Sequence, residues 1–395
     1  MIDERVMLAV LQSFTGSFLL RRSPGQVIPL AGISLDDFAV NSWSALGLSE
    51  EDVLELTRKL AGMFPPSASQ DSNVECAGTP LESVKQVLQG WKNGERLVVY
   101  ESSGSSGKPK RLCQSFESVQ QEVDTLAALF PGIQTVIAAT PQYHCYGFIF
   151  GVLLPKRLGA VRLSLPPLPT VISGALAPDT LVVGYPDLWA RLQPQPETSG
   201  CGTVCLSAGS PWSESDMQRI LGFGLNALEI YGSSENGAVG YRRGPGEFTL
   251  IDYWSRVVSK DGKEALERRL PSGELLYCPV QDSLHWTGER TFRPLKRLDS
   301  AVQVSGMNVY PARVAAFIAE HPLVRECRVR LMRPQEGRRL KAFIVAEAGA
   351  ENRVLIRELK LLCKNGLSTP ERPVSFTIGA RLPVNEFGKD ADWEI

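Results

Sequence analysis

From residue 82 to residue 240 the chain alternates helical segments with short apolar runs, at Leu97 to Tyr100, Val136 to Thr140, Leu181 to Gly184, Thr203 to Ser207 and Leu228 to Tyr231. Strand and helix alternation of this kind predicts an α/β layered architecture with mainly parallel sheets. Each chemically suggestive cluster follows one of these runs. That is where open α/β sheets bind ligands, outside the carboxyl ends of their strands.

The sharpest cluster spans residues 98 to 110, Val-Val-Tyr-Glu-Ser-Ser-Gly-Ser-Ser-Gly-Lys-Pro-Lys. A β-branched and aromatic run delivers the backbone into Ser and Gly residues whose hydroxyls and unhindered amides can wrap a polyphosphate, with Lys108 and Lys110 to neutralise it. This is not a Walker A loop, because Gly104 and Gly107 have two residues between them instead of four and Pro109 follows the lysine. The plain alternative is a Ser/Gly loop with solvated lysines.

The 395 residues are too many for one unit of typical size, so two or more subdomains are expected. With 42 basic and 43 acidic residues there is no single-sign field to attract nucleic acid or an anionic membrane. The 8 cysteines are scattered without a Cys-x-x-Cys pair, and reduced, mostly buried thiols in a cytoplasmic protein explain them better than disulfides or a zinc site. Acids occupy the N-terminus where a secretory signal needs bases, and no apolar run approaches the length of a membrane span.

Residues 1 to 64 carry apolar and acidic positions at helical spacing, and Ser49 is placed to cap a helix with an acidic first turn. Pro65 to Asn73 reads as an exposed connection. From about residue 299 the texture changes to short strands and polar helices, which predicts a small α+β lid over 299–395, after a larger unit over 1–298 whose first 80 residues are partly helical.

Further clusters follow in order. Pro141-Gln-Tyr-His-Cys-Tyr-Gly147 places His144 in an otherwise apolar setting, where a lone histidine is ordinarily a hydrogen-bonded core residue. Ser207-Ala-Gly-Ser-Pro211 is a small-residue turn in which Gly209 would let backbone approach a ligand. In Glu229-Ile-Tyr-Gly-Ser-Ser-Glu-Asn-Gly237, Glu235 directly follows a Gly/Ser turn. Such a carboxylate suits Mg²⁺ against nucleotide phosphates, while Tyr231 can stack on a purine. Trp286-Thr-Gly-Glu-Arg290 and Lys296-Arg-Leu-Asp299 come next, and Leu382-Pro-Val-Asn-Glu-Phe-Gly-Lys389 closes the series.

Taken together, these segments resemble the ordered motifs of the acyl-adenylate-forming superfamily, which comprises acyl- and aryl-CoA ligases and adenylation domains. The first is similar to that family's Thr-Ser-Gly-Ser-Thr-Gly-x-Pro-Lys loop, the fourth to its Tyr-Gly-x-Thr-Glu motif with Ser234 for Thr, and the last to its Pro-x-x-x-x-Gly-Lys element. The cluster around His144 most resembles small adenylating ligases of aryl polyene and pigment pathways. The resemblance covers residue 95 to the end, and the N-terminal region is shorter than is usual in the family.

The resemblance implies ATP-dependent activation of a carboxylic acid, aromatic or related, to an acyl-AMP, followed by transfer to a thiol. That thiol is the phosphopantetheine of an acyl carrier protein, as in secondary-metabolite biosynthesis, or else free coenzyme A. It implies that Ser102, Ser103, Gly104, Ser105, Ser106, Gly107 and Lys110 hold phosphates and that Glu235 holds Mg²⁺. Gly209, Tyr231, Ser234, Glu289 and Arg297 would frame the nucleotide, and His144, Gly209 and Gly232 would border the acyl group. Lys389 would be the catalytic lysine and Asp299 the lid hinge. Glu289 replaces the family's shorter Asp, and Gln303 stands where Lys is common. Those departures motivate a second reading, a degenerate nucleotide- or acyl-binding member without turnover. A third is an unrelated α/β scaffold.

Overall fold

The computed structural model describes residues 2–22, 30, 33–67, 74–103, 109–195, 198, 201–258, 264–280, 282–297, 301–304, 307–333, 335–383 and 391–394. For residues 102, 103, 109, 279, 296 and 297 the backbone alone is described. The chain divides into two compact units. The first comprises Met1–Ser102, Arg111–Val280 and Leu284–Pro294, the second Ser103–Lys110, Gln281–Ser283 and Leu295–Ile395.

The first unit opens with helices Glu4–Arg22, Leu35–Val40, Glu50–Met63 and Pro80–Asn93. As expected, Ser49 caps the third, and it does so reciprocally: its hydroxyl accepts from the Asp52 amide while the Asp52 carboxylate accepts from the Ser49 amide. Val53, Leu56, Thr57 and Leu60 then recur at helical spacing and are buried. Pro65 is not exposed as the sequence suggested. It is buried, and the Pro66 carbonyl accepts a 2.8 Å bond from the Glu95 amide; the rest of that connection, 68–73, lies outside the described residues.

Strands β1 (Leu97–Ser103) and β2 (Pro109–Ser115) form a sheet of their own. This corrects the placing of Leu97 to Tyr100 with the parallel strands. The connection from β1 to β2 is far shorter than the dozen or more residues a parallel crossover requires, so β1 pairs with its neighbour in sequence.

The main sheet is mixed and nine-stranded. It uses β3 (Thr135–Ala138), β4 (Val161–Ser164), β5 (Thr180–Gly184), β6 (Val204–Ala208), β7 (Asn226–Ser233), β8 (Gly237–Arg243) and β9 (Phe248–Leu250). After β10 (Trp254–Val258), β11 (Glu264–Arg269) and β12 (Leu275–Pro279), which make a separate antiparallel sheet, β13 (Asp282–Trp286) and β14 (Thr291–Arg297) complete it. The order is β13-β14-β9-β8-β7-β6-β5-β3-β4. Strands β4, β3, β5, β6 and β7 pair in parallel, as the alternation predicted, and β8 and β9 extend the sheet antiparallel. Every residue of β5 is buried, as a central strand covered on both faces requires.

The second unit contains the hairpin β15 (Val302–Val304) and β16 (Met307–Val309), helices Pro311–Ala319 and Asn352–Gly366, and a sheet of β17 (Val324–Leu331), β18 (Leu340–Ala346) and β19 (Ser375–Ile378). β17 and β18 are antiparallel, β18 and β19 parallel. Val329, Leu340, Ala342 and Ile344 form a core with Val314, Ile318, Leu355 and Leu359 of the two helices. All eight cysteines are free, but only Cys205 and Cys363 are fully buried, and Cys76 and Cys113 are exposed. Among the described residues no helix is long and apolar enough to cross a membrane.

Candidate active site

Because β3, β5, β6 and β7 are neighbours running in one direction, the segments that follow them emerge along one edge of the sheet. The first unit thereby gathers His144, after β3, Gly209, after β6, and the turn with Gly232, Ser234 and Glu235 at the end of β7.

His144 stands at the N-cap of the short helix Cys145–Phe148. Its ring lies 4.6 Å from that of Tyr143 and reaches solvent, yet the protein packed around it lowers its pKa through desolvation, which favours the neutral imidazole. The next residues form the π-helical turn Ile149–Leu153, whose side chains are all buried, so the His144 segment is anchored from behind by the core. Gly209 is exposed at φ +83°, a conformation that favours glycine, just past β6. The neighbouring turn is fixed by a buried ion pair. Glu229 accepts from the Trp212 amide at 3.0 Å and pairs with Arg242 at 2.6 Å, and Arg242 returns a 2.9 Å bond to the Trp212 carbonyl.

Glu235 occupies the turn between β7 and β8. Strand β7 carries an irregularity between Tyr231 and Gly232, and Gly232 then pairs with Ala238. The Ser233 hydroxyl accepts from the Asn236 amide at 3.2 Å, and the Gln114 side chain of β2 donates to the Ser234 carbonyl at 3.0 Å. These bonds hold the backbone and leave the Glu235 carboxylate half-buried on a fixed turn. One carboxylate beside serine hydroxyls fits magnesium, which keeps water and phosphate oxygens in its shell, better than it fits a metal held wholly by protein. The Tyr231 ring packs 5.7 Å from Phe248 and 5.4 Å from Phe292.

Beneath this turn lies a buried carboxyl group that sequence reasoning missed. Glu122, on helix Phe116–Ala127, is 2% exposed; its Oε1 accepts from the Ala238 amide at 2.9 Å, and its Oε2 has no hydrogen-bond partner. Gly237, at φ +70°, passes directly over this carboxylate, and a Cβ there would collide with it. Desolvation raises the Glu122 pKa to about 7, against the opposing pull of Arg268 and the Ala238 amide. Both Glu122 and Glu235 push the Cys145 thiol upward in addition to its burial, so the turns bearing His144 and Glu235 share one electrostatic environment. Arg268, 2% exposed, donates to Gln121 at 2.7 Å and stacks 3.9 Å from the Tyr253 ring centroid. A signal for Glu122 existed: it lies on the same helical stripe as the buried Val119, Val123 and Leu126.

Glu289 is exposed in the turn between β13 and β14. Thr287 donates to Glu247 at 2.7 Å, and the Arg290 guanidinium bonds the Leu250 and Ile251 carbonyls at 3.2 and 3.0 Å, so the turn is fixed on both sides of the exposed Glu289. Gln303, in β15, donates to the Asn308 side chain opposite it in β16. Lys110 is exposed near the start of β2, and Ser102 and Ser103 end β1. Arg297 ends β14. Gly104, Ser105, Ser106, Gly107, Asp299 and Lys389 lie outside the described residues.

Residues 313–389 match the AMP-binding enzyme C-terminal domain family. Over most of its length the chain is similar to the 4-coumarate–CoA ligase of Halorhodospira halophila, with 34% identity over 295 residues and 74% of each chain covered. It is also similar to the 4-coumarate–CoA ligase of Rhodobacter capsulatus, with 33% identity over 337 residues, 79% of this chain and 82% of the relative. Among solved structures it shares the fold of a malonyl-CoA ligase with methylmalonyl-CoA and AMP bound, at a TM-score of 0.60 and 19% identity, covering 72% of this chain and 71% of that one.

Proposed function

The chain belongs to the acyl-adenylate-forming superfamily of AMP-forming acid–thiol ligases, and from that premise we propose that it activates an aromatic carboxylic acid with ATP and passes the acyl group to coenzyme A. A carboxylate oxygen attacks the α-phosphorus of ATP, the bond to the bridging oxygen breaks, and pyrophosphate leaves. The thiol sulfur then attacks the acyl carbonyl carbon, and AMP departs with the bonding pair.

No protein nucleophile is needed. The residues at the sheet edge align the acid and the nucleotide, which is where most of the rate enhancement in such a displacement originates. Neutral His144 and Gly232 border the acid, Gly209 and Tyr231 the adenosine, and Glu289 and Arg297 the ribose. The serines of 102–106 with Lys110 take the phosphates, and Lys389 neutralises charge accumulating between carboxylate and α-phosphate. Glu235 would hold Mg²⁺, which supplies charge neutralisation on the phosphate oxygens.

The observation that carries this reading is the gathering of His144, Gly209 and the Glu235 turn at the carboxyl ends of adjacent parallel strands, in a chain whose relatives are named as CoA ligases. Those names support coenzyme A as acceptor; the carrier-protein acceptor expected from the sequence has no comparable support. ATP–pyrophosphate exchange across a carboxylic acid panel that includes 4-coumarate tests the first step, and thioester formation with coenzyme A or a phosphopantetheinylated carrier tests the second. Exchange with one acid class and capture by coenzyme A is the expected result. Nucleotide binding without exchange would identify a non-catalytic member instead.

A further inference from the structure

The motifs above begin near residue 95, yet one half-buried edge of the first helix, Glu4–Arg22, is built against the His144 segment. Ser17 lies four residues after Ser13 and three after Phe14, so the three side chains gather on one edge while Val10, Leu11 and Phe18 enter the core. Each of the three meets the stretch between β3 and the helix Cys145–Phe148.

The Ser13 hydroxyl accepts from the Gln142 amide at 3.0 Å. The Tyr143 hydroxyl donates to the Ser17 hydroxyl oxygen at 3.1 Å, and the Phe14 and Tyr143 rings stack with centroids 4.5 Å apart and planes 10° from parallel. The Tyr143 ring in turn lies 4.6 Å from that of His144. A hydroxyl inside a helix ordinarily returns to its own backbone, as Thr15 does in bonding the Leu11 carbonyl at 2.8 Å. Ser13 and Ser17 instead serve as acceptors for the stretch before His144.

The same stretch is also held by β4 and by the π-helical turn. Gln142, 2% exposed, donates from Nε2 to the Ser164 hydroxyl at 3.0 Å and accepts from Arg162, whose Nε bonds the Gly151 carbonyl at 3.1 Å. Gly147 packs so closely that a Cβ there would collide with the Pro141 carbonyl. His144 therefore follows two anchored residues, and the first helix supplies a distinct share of the anchors. The contacts that fix the neighbouring turns run through Trp212, Arg242, Glu122 and Gln114, none of them on this helix.

We propose that Ser13, Phe14 and Ser17 belong to the acid-binding machinery: through Gln142 and Tyr143 they position the His144 turn and so set how tightly the carboxylic acid is held. They are positioning residues, and the proposal rests on the reading above that His144 borders the acid. Because a small displacement of a binding group is costly, loosening this edge acts on the acid and spares the nucleotide.

The test measures ATP–pyrophosphate exchange in the full-length protein, with the panel acid that the parent turns over, 4-coumarate first, and reads KM for the acid and KM for ATP separately. Phe14→Ala should raise KM for the acid about two- to tenfold, the range that loss of one stacked ring can transmit, and leave KM for ATP within about twofold. Tyr143→Phe, which deletes the bond to Ser17 and keeps the ring, should raise KM for the acid about two- to fivefold. Phe14→Tyr keeps the stack and should behave as the parent does. The unmoved KM for ATP also reports that the variants are folded. His144→Ala should raise KM for the acid by itself, and adding Phe14→Ala to it should change little further, because the residue being positioned is gone. Parallel rises in both KM values, an unchanged KM for the acid in Phe14→Ala beside a raised one in His144→Ala, or a full additional rise in the double variant would overturn the proposal. An unchanged KM for the acid in His144→Ala would instead overturn the role given to the histidine, and the proposal would fall with it.

Discussion

The Ala238 amide donates to Glu122 Oε1 at 2.9 Å, which ties the strand leaving the Glu235 turn to a carboxyl group held almost entirely out of water. Its surroundings comprise Tyr100, Cys145, Tyr253 and Arg268, a single cation among groups that burial keeps neutral. A carboxyl so placed titrates late.

Desolvation raises the Glu122 pKa from 4.5 to about 7. Between those values the folded protein binds a proton that the unfolded chain has released, so stability falls as pH rises through that window. Glu122→Gln keeps an oxygen for the Ala238 amide and cannot titrate. Its melting temperature should therefore change less between pH 5 and pH 8 than the parent's, and at pH 8 should equal or exceed it. Melting curves at the two pH values that run parallel for parent and variant would remove Glu122 from this account.

The Glu229–Arg242 pair, at 2.6 Å with both side chains nearly buried, locks the turn after β6 to β8. Removing one member leaves the other charged and unpaired, which costs about 3–5 kcal/mol. Arg242→Ala should lower the urea midpoint accordingly, and a loss below about 1 kcal/mol would mean that water replaces the guanidinium freely.

Much of this architecture was legible because its signals are local. Apolar runs bounded by turn residues mark β3, β5, β6 and β7 within a residue or two, and Ser49 with Asp52 marks a helix start without reference to anything distant. The parts that were not legible depend on pairing across the fold. Leu97 to Tyr100 is as apolar as the parallel strands, yet its partner was decided by the brevity of the connection to β2. Glu122 and Arg268 are charged residues that read as solvated until a sheet and a turn close over them.

Glu289 stands where the family resemblance implies a shorter Asp, on a turn pinned by Thr287 and Arg290. With the backbone fixed, side-chain length would decide the fit to the ribose proposed as its partner. Glu289→Asp is expected to preserve or tighten ATP binding. Tenfold weaker binding by calorimetry, about 1.4 kcal/mol, would show that the longer acid is matched to a rearranged site.

Glu235→Gln keeps the shape of the turn and removes the charge proposed to face Mg²⁺ and the nucleotide phosphates. Acyl-AMP formation should nearly vanish while the fold stays intact, with the Ser233–Asn236 and Gln114–Ser234 bonds of the turn retained. An unchanged rate and magnesium dependence would exclude it as the metal carboxylate.

The hinge prediction separates this mechanism from one with a fixed lid. If Asp299 is the pivot on which the second unit turns between half-reactions, Asp299→Pro restricts its φ and holds the lid in whichever arrangement that angle permits. One half-reaction should then survive and the other fail. Lys389→Ala should slow acyl-AMP formation by about 10²- to 10³-fold, the scale of losing one preorganised donor, and spare thiol capture of supplied acyl-AMP. The two variants thus probe different demands, one on the position of a charge and one on the freedom to withdraw it. Rapid-quench measurement of each half-reaction in both proteins decides the matter: equal damage to both steps in Lys389→Ala, or undiminished turnover in Asp299→Pro, is incompatible with a lid that delivers the lysine and then removes it.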